Sequence, residues 1–199
     1  MGNKLSISTL FLITFSIFVS LAITTIATLS LRTALAQTVS KLVTYQNSSY
    51  GIQIQYPSDW DRQENGTKQD TQTNVVTFYP PAENSNASFD VAIDDISDEK
   101  GITVVQYSSD EIASSKQSVK DFKLVESSTN GVFLAGLPAY KIVSTSTDQA
   151  TSLKTMEIGT IKDDKVYIIT YEAGASEYDK YLPTILGMIS SFTITILSV

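Results

Sequence analysis

From Gly131 to Phe192 the chain reads as three apolar runs set apart by polar turns, followed by one amphipathic stretch. No other feature restricts the fold as much. Leu153–Ile161 and Lys165–Tyr171 are joined only by Lys162-Asp163-Asp164, a link short enough to require a hairpin. In the second of these runs Tyr167, Ile169 and Tyr171 share one side, and Val166 and Ile168 share the other. A strand apolar on both faces belongs in the middle of a covered sheet. Upstream, Leu137-Pro138 reads as a turn into Ala139–Ser144, where Tyr140 and Ile142 share a face. Downstream, Tyr181, Leu182, Ile185, Leu186, Met188, Ile189 and Phe192 recur at helical spacing. Ser176 and Asp179 are the capping candidates there, and Pro183 is acceptable only in the first turn. An antiparallel sheet with a helix on one face buries both patterns, which makes the fold class α+β.

The first half supplies further strands. Lys41–Tyr45 and Gly51–Tyr56 flank a polar turn at Asn47-Ser48-Ser49, and Pro57 stops the second ladder. Trp60, the sole tryptophan, is expected to plug one end of the core. Val75–Tyr79 ends at Pro80-Pro81, and Phe89–Ile93 alternates with Phe89, Val91 and Ile93 inward. The polar segments Asp61–Thr73, with its Asn65-Gly66 turn signal, and Ala82–Ala87 read as loops, the first of them mobile. Thr103 to about Lys120 is predicted helical: Thr103 and Gln106 have capping-box spacing, and Val104, Tyr107, Ile112, Ser115 and Val119 form a stripe. A strand follows at Phe122–Glu126 and breaks at Asn130-Gly131. Thr193–Val199 reads as a short edge strand or a frayed tail.

Met1–Ala36 has the character of a targeting segment. Lys4 precedes an apolar stretch from Leu5 to Leu31, and Ala34-Leu35-Ala36 offers a small-x-small cleavage site. Cleavage after Ala36 would leave Gln37 first; without cleavage the stretch is long enough to anchor the chain in a membrane. In either case residues 37–199 form a single domain facing outward, with its core at about 43–192.

Chemistry is bounded mostly by what is missing. The sequence contains no cysteine and no histidine, which removes disulfides, thiolate catalysis and the commonest general base and metal ligand. Beyond residue 36 there are twelve basic and twenty-one acidic side chains, a formal charge of −9, which argues against a nucleic-acid partner. The densest acidic cluster is Asp90, Asp94, Asp95, Asp98 and Glu99. Its oxygen ligands would suit calcium or magnesium, although no EF-hand spacing is present and a solvated acidic loop is the better reading. Asp163-Asp164 is read as a turn pair. Ser115-Lys116 and Ser118–Lys120 are available as a Ser–Lys nucleophile, although a charged helix face has this appearance by default, and no G-x-S-x-G elbow or phosphate-binding glycine loop occurs. Sequons stand at Asn47, Asn65 and Asn86, all in predicted loops.

Three segments together resemble the PsbP family: Tyr50-Gly51-Ile52-Gln53-Ile54-Gln55-Tyr56-Pro57-Ser58-Asp59-Trp60, Leu134-Ala135-Gly136-Leu137-Pro138-Ala139-Tyr140, and Val166–Tyr171 with the closing helix to Phe192. The resemblance runs from about Val43 to Phe192 and implies an α/β/α sandwich, a central antiparallel sheet with helices on both faces. It implies structural roles for the matching residues: Gly51 and Gly136 in tight backbone, Pro57 and Pro138 in turns, Trp60 and Tyr140 in the core. The extended N-terminal arm of the photosystem proteins has no counterpart here, and family metal sites that use histidine cannot form. The nearer likeness is to PsbP-like secreted proteins of non-photosynthetic prokaryotes.

The expectation is therefore a non-catalytic extracytoplasmic binding or accessory module, not an enzyme, without cofactor or metal. Its partner would be a protein at the outer membrane face. The alternatives are a small-ligand carrier or hydrolase with its site at the sheet edge, or carboxylate-based calcium or manganese binding at Asp94, Asp95, Asp98 and Glu99.

Overall fold

The computed structural model describes residues 41–69, 71–81 and 85–195. Met1–Ala36, expected to be a targeting segment, and the last four residues, 196–199, lie outside the described residues. Among the described residues the fold is mostly antiparallel sheet with two helices. Among the described residues no helix is long and apolar enough to cross a membrane.

Strands β1 (Leu42–Asn47) and β2 (Ile52–Pro57) pair as a hairpin, and β11 (Thr193–Ile194) adds to the other side of β2, completing a three-stranded sheet. Thr193–Ile194 is therefore a short edge strand. The large sheet contains β3 (Asp61–Gln69), β4 (Gln72–Tyr79), β5 (Ser88–Asp95), β6 (Lys123–Ser128), β8 (Leu137–Asp148), β9 (Thr151–Lys162) and β10 (Lys165–Gly174). Its order is β3-β4-β5-β10-β9-β8-β6, and β7 (Phe133–Leu134) pairs beside it with β8. The two-sided apolarity of Lys165–Tyr171 is thereby explained, since β10 sits between β5 and β9.

Alternation along β10 feeds two cores. Tyr167, Ile169 and Tyr171 join a cluster with Tyr45, Ile54, Phe78, Phe89 and Val91. Helix α2 (Tyr178–Ser191) contributes Ile185 and Met188 to the same cluster. Burying each such aliphatic side chain contributes about 1.5–3 kcal/mol before entropy. Val166 and Ile168 join the second cluster, with Tyr140, Ile142 and Tyr107 of helix α1 (Val104–Ser118). Strand geometry puts successive side chains on opposite faces, so the two clusters occupy opposite faces of β10. Thr103 caps α1 as its spacing predicts: its hydroxyl accepts from the Gln106 amide at 3.2 Å. Trp60 is core, edge-on to Tyr181 at 6.0 Å between ring centres.

Several expectations need correction. Asp61–Thr73 is not a loop: it forms β3 and the start of β4, with a register shift between Glu64 and Thr67 where Gly66 has φ +56°. Asn65-Gly66 thus marks a bulge inside a hairpin arm. The turn into β8 is made by Ala135 and Gly136, with φ +52° and +77°, while Pro138 lies within the strand opposite Phe133. Two left-handed residues in succession give the twist a two-residue hairpin needs, and Asp163-Asp164 does the same at φ +51° and +56°. Neither Ser176 nor Asp179 caps α2: the capping residue is Glu177, without a side-chain bond. The helix begins early enough to leave Pro183 inside it. Leu186 faces outward, so the buried stripe of α2 is narrower than its sequence implies.

Candidate functional site

The sheet face beneath α1 is apolar at one end and polar at the other. Tyr140, Ser144 and Ser146 on β8, Thr155 and Glu157 on β9 and Glu172 on β10 reach that face by period-two alternation. Together with Glu111 and Ser115 of α1, most of them enclose a cavity of about 140 Å³. The fully buried Tyr140 donates its hydroxyl to Glu157 Oε1 at 2.7 Å. Its ring lies across Gly159, the residue opposite it in the β8–β9 ladder. Thr155 donates to Glu172 Oε2 at 3.1 Å. On the neighbouring strand, Tyr107 of α1 donates to Asp94 Oδ2 at 2.8 Å, while Asp94 Oδ1 is buried without a partner among the described residues.

The electrostatics follow from burial without a counter-charge. Burial, opposed by the Tyr140 hydrogen bond and reinforced by the charge of Glu111, pushes Glu157 up to about 7. Glu111 is raised by burial first and then by Asp94 and Asp110. Burial and the bond to Asp94 hold the Tyr107 phenol far above its ordinary value, and burial with the Glu157 charge does the same for Tyr140. These phenols donate hydrogen bonds and do not ionise in the physiological range.

The acidic cluster read from the sequence is dispersed. Asp90 accepts from Thr77 at 2.6 Å and Ser88 at 2.8 Å. Asp94 is held by Tyr107, and Asp95 accepts from the Ser97 amide at 3.1 Å in the exposed turn that also carries Asp98 and Glu99. Among the described residues no three carboxylates gather to hold a metal ion. Ser115 lines the cavity, while Lys116 is exposed on the last turn of α1 and Ser118 donates to the Ser114 carbonyl at 2.9 Å, so no Ser–Lys pair forms there. Of the sequons, Asn47 donates its side-chain amide to Tyr45 and Asn65 to Thr77, whereas Asn86 is exposed. Asp163 and Asp164 are the turn pair.

A second feature went unread in the sequence. Between the β7–β8 hairpin and α2 lies an open groove of about 440 Å³ that includes Phe133, Leu186 and Ile189. Phe133 is 63% exposed and Leu186 51% exposed. Leu186 sits on a helical apolar stripe that reads as core, and Phe133 sits in an apolar run, so neither announces its exposure. Glu157 is the one acidic residue within Leu153–Ile161, the only local signal that this run carries a polar site.

Comparison with known proteins places this geometry. The model of the family described as PsbP-like protein matches residues 15–194. The structure is similar to cyanobacterial PsbP (CyanoP) of Synechocystis sp., with a TM-score of 0.60 at 15% identity, covering 80% of this chain and 95% of that one. It is also similar to LpqN of Mycobacterium tuberculosis, a protein involved in cell envelope biogenesis (TM-score 0.52, 10% identity, 81% and 88% covered). A third likeness is to the Ran-binding protein Mog1p of Saccharomyces cerevisiae (TM-score 0.51, 10% identity, 78% and 96% covered). At these identities the likeness is one of fold. No curated protein sequence matches the chain.

Proposed function

The chain belongs to the PsbP-like protein family, and from that premise we propose that it is a non-catalytic binding or accessory module acting outside the cytoplasm, at or near the membrane surface. Residues 37–199 are its single domain, an α/β/α sandwich, and Met1–Ala36 is its export signal or membrane anchor. Its partner is a protein at the outer membrane face, and nucleic acid is not among its ligands. The fold's occurrence in a Ran-binding protein and in a protein of cell envelope biogenesis supports an accessory role. Fold alone does not carry function, so the proposal rests on the surface.

The observation that carries it is the groove beside α2, where the exposed Phe133 and Leu186 line one opening. A contiguous exposed apolar patch marks an interaction surface, and aromatic side chains such as Phe133 are enriched at protein contacts. The enclosed cavity under α1, at about 140 Å³, falls below the roughly 300–1,000 Å³ of small-molecule sites, which counts against a carrier or hydrolase acting there. The test is recovery of partners from solubilised membranes on the immobilised domain, comparing wild type with the Phe133→Ser/Leu186→Ser pair. Wild type is expected to recover a reproducible partner, and the pair to lose it at unchanged melting temperature. Absence of any partner for wild type refutes the module reading, and equal recovery by the pair refutes the groove.

A further inference from the structure

Helix α1 rests on the sheet through a small footprint. Of its fifteen residues only Tyr107 and Ser108 are buried. Near its middle it meets a set of acids and phenols with no base among them. The groups facing Glu157 are Tyr140 from β8, Glu172 from β10, and Tyr107 and Glu111 from α1, with Asp94 of β5 behind Tyr107. No lysine or arginine lines the cavity, and among the described residues none of Glu111, Glu157 and Glu172 has an ion-pair partner.

We propose that this cavity is a proton-operated latch: a proton on Glu157 lets α1 seat against β8 and β9, and its loss sets two carboxylates, Glu157 and Glu111, across a cavity whose lining holds no cation to neutralise them, loosening the helix. The direction follows from the folded and unfolded affinities for the proton. Glu157 titrates near 7 in the fold against about 4.3 in an unfolded chain. The folded state therefore holds the proton more tightly. The resulting stabilisation is complete below about pH 4, declines as pH climbs from there toward 7, and is absent above. The change is local, because an element with few buried contacts opens before the sheet that carries it.

The test is hydrogen–deuterium exchange of the full domain across pH, corrected for base catalysis of the chemical step. Protection of residues 104–118 is expected to fall at least about tenfold between about pH 5.5 and about pH 8, the ratio that one pKa unit of coupling carries. Protection of β9 and β10 stays above that of α1 at every pH, because the sheet opens only with the whole domain. Glu157→Gln keeps an acceptor for Tyr140 and removes the charge, so its α1 remains protected at the higher pH. Glu111→Gln relieves the same repulsion from the helix side and is expected to flatten the profile as well. A pH-independent α1 in wild type overturns the proposal, as does a slope shared unchanged by both variants. A carbon-13 titration placing the Glu157 carboxyl near its unfolded value overturns it independently.

Discussion

Adding one methyl group at Gly159 tests how tightly the polar face is built. A Cβ there would lie 2.5 Å from Cε1 of Tyr140 and 2.6 Å from both Cζ and Oη. Such distances are well inside van der Waals contact, so the ring has to move. Tyr140 has no room to give: it is fully buried, with the Tyr107 ring 5.8 Å away. Displacing it costs about 1–3 kcal/mol of overpacking. It also breaks the 2.7 Å bond to Glu157, a carboxyl that holds its proton when α1 is seated, and a neutral hydrogen bond contributes about 0.5–1.5 kcal/mol. Removing a glycine from a strand returns about 0.5–1 kcal/mol. Gly159→Ala is therefore expected to destabilise by about 2 kcal/mol, read as a lower urea midpoint with unchanged slope. The melting temperature should fall by about 4–8 °C for a domain of this size. In a Tyr140→Ala background the same change should cost almost nothing, because the clash is gone. A Gly159→Ala protein as stable as wild type would refute the placement of Tyr140 over the glycine.

Two further substitutions probe single features. Tyr107→Phe removes the one donor to Asp94 and leaves both oxygens of that carboxyl without a protein partner; a loss of about 1.5–3 kcal/mol is expected by urea unfolding. Asp164→Gly relieves a side chain held at φ +56° in the β9–β10 turn and should stabilise by about 0.5–1 kcal/mol, seen as a higher melting temperature.

The strands that were legible in the sequence are those that bury a face. Val166 to Tyr171 carries apolar side chains on both sides because two cores need them, and its central place follows from that pattern alone. The polar strand β3, Asp61–Gln69, buries almost nothing and pairs at the margin of the sheet, so no alternation betrays it. What holds it is backbone pairing with β4, with help from Arg62 over the Tyr45 ring at 5.2 Å. The turn before β8 was misplaced because Pro138 is a strong turn signal, whereas the left-handed Ala135 gives none. The candidate site was the least legible part. Glu157, Tyr140 and Glu111 come from three elements, and only the β8–β9 register and the seating of α1 bring them together.

The strand order has a consequence in time. Strands β3, β4 and β5 are neighbours in sequence, but the next partner of β5 is β10, so Phe89, Val91 and Ile93 wait for residues 165–174. Pairings this distant in sequence close slowly. On a chain made from its N-terminus at about 5–20 residues per second, β5 spends on the order of ten seconds as an open apolar edge. A ribosome that stalls before Lys165 would leave a half-sheet with nothing to complete it, and the cell's chaperones would meet this protein chiefly through Ser88–Asp95.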